Sequence, residues 1–147
     1  MTLGWFVLGV IGRTLVLVGL QLAGLAYGAW DARRSNPGEG ANIAIGLVVF
    51  AVGCLVAFVW GGIDGARGWV FKRILLCWAL VGCIAGLTSP IYNQIGYGPP
   101  KWGVLVIDVV TVGSFIAIII SVSAVMGGLL GAASRGPEAG GGTSNRI

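Results

Sequence analysis

Histidine is absent from all 147 residues. That alone excludes His-ligated haem, His-based zinc sites and a Ser-His-Asp triad. Charge is scarce as well: charged residues make up 10% of the chain against 56% hydrophobic. A soluble domain of this length needs far more charge to cover its surface. There is no Walker loop, HExxH, CxxC or GxSxG. Gly9-Val10-Ile11-Gly12 lacks both the strand context and the lysine of a phosphate loop. No catalytic residue, cofactor or metal ligand set is therefore expected, and a membrane enzyme is the least favoured class because it needs convergent acids, bases or metal ligands. The three cysteines, Cys54, Cys77 and Cys83, all lie in apolar stretches and read as small buried apolar residues.

What is present is apolar. Mean hydropathy is +0.94, and four stretches, at about 4–30, 43–63, 74–91 and 102–133, are each long enough to cross a bilayer as a helix of roughly 17–25 residues. No short alternating segments of the kind that build β-barrels occur, and helices are the other way to satisfy backbone groups in lipid. Trp5, Trp30, Trp60, Trp69 and Trp102 fall at or just beyond the ends of these stretches, where amphipathic rings prefer to sit. Only Trp78 lies clearly inside one. The third stretch is expected to stop at Thr88-Ser89-Pro90.

The connections are short. Residues 31–42 read as a turn-rich polar loop, with Asn42 placed to cap the second helix. Residues 64–73 form a basic connection, and 92–101 a loop with two tyrosines and a Pro-Pro stop. Short links predict an up-down bundle whose sequential helices are antiparallel neighbours. The expected fold class is thus an all-α membrane protein, a four-transmembrane-helix bundle over residues 1–133. A disordered Gly-rich tail over 134–147 should follow it. Ala26-Tyr27-Gly28 resembles a signal-peptide cleavage site, but the run is too long, Arg13 interrupts it and no charged n-region precedes it.

Four spans place both termini with the second connection. That side carries Arg67, Lys72, Arg73, Arg135 and Arg146, the other Arg33, Arg34 and Lys101. The positive-inside rule then expects cytoplasmic termini in the plasma membrane. The net charge of +4 is spread through short segments, which suits anionic lipid and not nucleic acid.

Arg13 is the most informative residue. It lies eight residues past Trp5, or roughly 12 Å along a helix. A charge near the bilayer centre costs about 2.5–3.5 kcal/mol on insertion scales. Snorkelling to the interface, a span beginning near Thr14, an ion pair with Asp64, or contact with an anion or substrate would each offset that cost. Asp64 reads as a solvated or Arg-paired carboxylate. Asp108, at the opposite interface, would bind a proton or cation or meet Lys101 or Arg33. Asp64 and Asp108 are expected at opposite sides and so cannot form one acid/base pair. Gln21, Thr111, Ser114, Ser121 and Ser123 should hydrogen-bond a neighbouring helix or their own backbone.

Small residues four apart occur in every span: Gly24 and Gly28; Gly53, Ala57 and Gly61; Gly82 and Gly86; and Gly113, Ala117 and Ser121, followed by Gly127 and Gly131. Such faces let helices approach closely within one bundle or between copies in a homo-oligomer. The four-span layout with small loops is similar in outline to DoxX-like and GtrA-like membrane proteins, small multidrug pumps and phage holins. This resemblance is one of length and span count. The small multidrug pumps carry a Glu in the first span, and this first span has none.

The expected function is a non-enzymatic accessory, assembly or exclusion factor that acts by helix packing, with the lipid bilayer, another copy or another membrane protein as partner. The alternative is a small transporter or holin-like oligomeric channel with Arg13 and Asp108 along its path.

Overall fold

The computed structural model describes residues 3–34, 41–95 and 101–135. Helix α1 spans Leu3–Ala32, α2 Ala41–Ala66 and α3 Phe71–Ile95. The fourth span, α4, runs over Trp102–Ala133 and contains a π-helical turn at Val109–Gly113. All four helices are long and apolar enough to cross a membrane, and no strand occurs among the described residues. The protein is an all-α membrane protein. The 26 residues of α2 extend about 39 Å at 1.5 Å per residue, beyond the ~30 Å of a hydrocarbon core. Leu8, Leu15, Leu47, Leu55, Val104, Ile118 and Leu129 are among many large apolar side chains left exposed on the outside. That surface suits lipid and would be a liability in water.

Side-chain and backbone contacts give the helix directions. Gly24 of α1 meets Val49 of α2, and Leu17 and Leu20 reach Gly53, so these helices run antiparallel. Ile74 meets Gly128, Ser121 donates to the Trp78 carbonyl at 3.1 Å, and Gly86 lies on Gly113, so α3 and α4 are also antiparallel. Phe50 stacks on Phe115 while Gly61 lies on Ala124, making α2 and α4 parallel. Around the bundle the order is α1, α2, α4, α3. The expectation that each helix packs on the next fails at one link: α2 and α3, joined by a four-residue turn, barely touch. The turn crosses a diagonal because α2 finds its closest partner in α4. Glycine on both of those helices lets their backbones meet.

The α2–α4 seam is built from two similar sequences, Gly61-Gly62-Ile63-Asp64-Gly65 and Gly127-Gly128-Leu129-Leu130-Gly131. A Cβ on Gly61 would strike the Ala124 carbonyl, on Gly65 that of Gly128, on Gly127 that of Phe58 and on Gly131 that of Gly62. Of the small residues expected at packing faces, Gly53, Ala57, Gly61, Gly82, Gly86, Gly113 and Gly127 are buried. Gly82 lies on the Ala117 carbonyl, so Ala117 joins the α3–α4 seam. Gly53 makes only ordinary van der Waals contact, Gly24 faces the Val49 side chain instead of backbone, and Gly28 is half-buried.

Other local expectations shift. Helix α3 does not stop at Pro90 but continues to Ile95 with Pro90 buried inside it. Proline is tolerated in membrane helices when neighbours cover the freed carbonyl. Here the carbonyl of Gly86, four residues earlier, abuts Gly113 of α4. Helix α2 begins at Ala41, so Asn42 lies within its first turn and not at its cap. Cys77 is buried, Cys54 half-buried and Cys83 exposed on the outer face. The thiol of Cys83 is apolar enough for that surface, which is why an apolar setting did not imply burial. Beyond Arg135 the expected Gly-rich tail lies outside the described residues.

A candidate functional site: a closed ion pair in a tryptophan box

The α2–α3 turn assembles the site. Gly68, with φ of +84°, closes α2 in the left-handed conformation. The N–H of Trp69 donates to the Asp64 carbonyl at 3.1 Å, and that of Gly68 to the Gly65 carbonyl at 3.1 Å. This pairing is the Schellman arrangement, with Gly68 just past the helix end. It brings Trp69 back beside Asp64. One turn earlier α2 supplies Trp60, and α3 begins two residues after Trp69 and supplies Arg73, Cys77 and Trp78.

Arg13 of α1 enters this box. One of its terminal nitrogens, Nη2, donates to both Asp64 carboxylate oxygens, at 2.5 and 2.7 Å. Nη1 lies 3.7 Å from the Cys77 sulfur, a weak acceptor. The guanidinium carbon lies 5.6 Å from the Trp60 ring centroid, 5.1 Å from Trp69 and 5.6 Å from Trp78. A cation enclosed by three aromatic faces gains electrostatic stabilisation from each, more so when desolvated. Arg13 is 4% exposed and Asp64 0%, so each charge has lost its water and depends on the other. Asp64 sits at the negative end of the α2 dipole, where a carboxylate alone is disfavoured and a cation is favoured. Arg13 therefore compensates both.

Of the four readings of Arg13, the ion pair with Asp64 is realised. The guanidinium reaches back beside Gly9, toward the N-terminus of α1, and ends inside the box. Asp64 is buried, not solvated. Among the described residues Asp108 has no ion pair; it is half-buried at the far end, directly before the π turn. The structure therefore keeps Asp64 and Asp108 apart. Among the milder polar residues, Thr111 donates to the Ile107 carbonyl at 2.7 Å, Ser114 to Val109 at 3.4 Å, and Ser121 to Ala117 at 2.7 Å as well as to Trp78. Gln21 Oε1, Thr14 Oγ1, Arg13 Nε and Trp78 Nε1 are buried without a hydrogen-bond partner among the described residues.

Trp78 and Cys77 were not expected at this site. Trp78 is the one tryptophan placed within an apolar stretch, and that exception was the available signal. Nothing in the sequence pointed to Cys77. Among the described residues no cluster of His, Cys, Asp or Glu could hold a metal ion. No family model matches the chain, and neither a curated protein nor a solved structure matches it.

Proposed function

We propose that this is a non-enzymatic membrane protein that works by helix packing against a partner within the bilayer, as an accessory, assembly or exclusion factor. The observation that supports this most is the closure of the Arg13–Asp64 pair. The two charges buried in the bundle satisfy each other inside a tryptophan box. A transport path uses intramembrane charges that face a substrate or water, and this pair is buried with its charges on each other. The glycine seam between α2 and α4 further supports a dry, rigid bundle. The outward faces, rich in exposed leucine, isoleucine and valine, are then the surface offered to lipid, to a second copy or to another membrane protein.

Liposome flux separates this from the small transporter or holin-like channel. Reconstituted protein should pass protons, potassium and a small polar dye no faster than empty vesicles do. Flux that disappears in Arg13→Leu or Asp108→Asn, with the helical circular dichroism unchanged, would put the channel reading first.

Location and orientation belong to the same proposal: the plasma membrane, with both termini cytoplasmic. What supports it is the charge carried by the end that holds the α2–α3 turn, where Arg67, Lys72, Arg73 and Arg135 lie. A fluorescent reporter fused after Ile147 should mature in the cytoplasm, and an alkaline phosphatase at the same position should stay inactive. The reverse pattern would invert the topology.

A further inference from the structure

The box leaves an imbalance at its own end of the bundle. Asp64 is the one carboxylate among the described residues there, and Arg13 occupies both its oxygens. Arg67, Lys72, Arg73 and Arg135 surround the same turn, and none makes an ion pair among the described residues. Two of the four are held by packing. The Arg73 guanidinium lies 4.7 Å from the Trp69 ring centroid and 5.3 Å from that of Phe6. The Arg135 side chain lies over Gly68, where a Cβ would come within 2.8 Å of its Nη1. Arg67 and Lys72 are exposed. The first turn of α3 opens at the same place and adds the positive end of its dipole. The opposite end differs: Arg33, Arg34 and Lys101 share their surface with Asp31 and Asp108.

From this arrangement we propose that the α2–α3 turn is a binding site for the phosphate of an anionic phospholipid headgroup, gripped by Lys72, Arg73 and Arg135 with Arg67 at its edge. Three features favour a lipid over a soluble phosphate. The turn joins two membrane-spanning helices, so it lies at headgroup depth. Trp69, an interfacial type of side chain, forms its floor. Exposed Val70 and Phe71 flank the cations and offer apolar contact to acyl chains. Arginine held flat against an aromatic ring still presents its outer N–H groups to a phosphate. The proposal rests on the membrane architecture and not on the partner-binding reading, so flux through liposomes would leave it standing.

Native mass spectrometry of the full chain, released from detergent with chain-matched phosphatidylglycerol and phosphatidylcholine, tests it. The wild type should retain one phosphatidylglycerol in clear preference. Lys72→Gln, at an exposed position that folding does not need, should reduce that preference about fivefold, the factor corresponding to one surface cation. Lys72→Gln with Arg135→Gln should reduce it about 25-fold, whereas Arg33→Gln with Arg34→Gln should leave it unchanged. Equal retention of the two lipids by the wild type would overturn the proposal, as would a preference untouched by Lys72→Gln. If excess inorganic phosphate displaces the lipid and by itself raises the unfolding temperature, the ligand is a free phosphate and the lipid assignment fails.

Discussion

Removing either partner of the buried pair should unfold this bundle more readily than any other single side-chain change, and removing both should restore much of the loss. Arg13→Leu and Asp64→Leu are each expected to cost about 3–5 kcal/mol, because each strands a buried charge with no second ion-pair partner among the described residues. Arg13→Leu with Asp64→Leu strands none, and its two leucines can pack into the space among Trp60, Trp69 and Trp78. The singles should also differ. A carboxyl group left without its arginine can take up a proton and become neutral, whereas a guanidinium cannot lose one. Asp64→Leu should therefore be the worse of the two, softened only by the three tryptophan faces that remain around Arg13. Chemical unfolding in mixed micelles, followed by tryptophan fluorescence, would read this directly. The idea of a mutually dependent pair fails if the double variant is as unstable as the two losses added together.

The spans and the polar pair were legible in the sequence for a common reason. Lipid imposes a length on every apolar run, and an uncompensated charge in such a run demands an explanation. The boundaries follow from composition, which is why the expected 43–63 and 102–133 lie so close to Ala44–Ala66 and Trp102–Ala133. Arg13 and Asp64 were both singled out, and their pairing was one of the alternatives left open. What could not be read was which alternative wins. That depends on how far the Arg13 side chain lies from the bundle axis, a tertiary quantity set by where α1 docks.

The parts that were illegible are those in which one helix corrects another. Pro90 signals a stop by itself; only the apposition of Gly113 covers the carbonyl it frees and lets α3 run on. The Schellman turn at Gly68 was hidden inside a stretch that read as a basic connection, although a glycine just past a helix end is its usual mark. The parallel α2–α4 pairing was obscured by chain order, since short links favour adjacent partners. The row Gly53, Ala57, Gly61 could have been followed one step further, to Gly65, had the span not been ended at Ile63. All four residues are buried.

That seam gives the second large effect, and it turns on what each glycine faces. Gly65→Ala, Gly127→Ala and Gly131→Ala each push a methyl group into a backbone carbonyl of the partner helix. A carbonyl in a helix cannot rotate aside, so the helices must separate along the seam. Overpacking of this kind costs about 1–3 kcal/mol, and a leucine at the same position should cost more. Gly24→Ala should be milder, because its obstacle is the Val49 side chain and not backbone, and α1 and α2 can give way there without breaking a carbonyl contact. Gly68→Ala belongs to a different class. Its φ of +84° makes a side chain there cost about 1–2 kcal/mol whatever the space around it. Gly12, Gly19, Gly46 and Gly103 have nothing within reach of an added methyl, and alanine there should be neutral or gain up to about 1 kcal/mol of helix propensity. Every one of these is the same chemical change, so helix propensity and hydrophobicity cannot produce the ordering. If the unfolding free energies of Gly65→Ala and Gly12→Ala prove equal, α2 and α4 do not meet backbone to backbone. The rigid dry bundle on which the proposed function leans would then be lost with them.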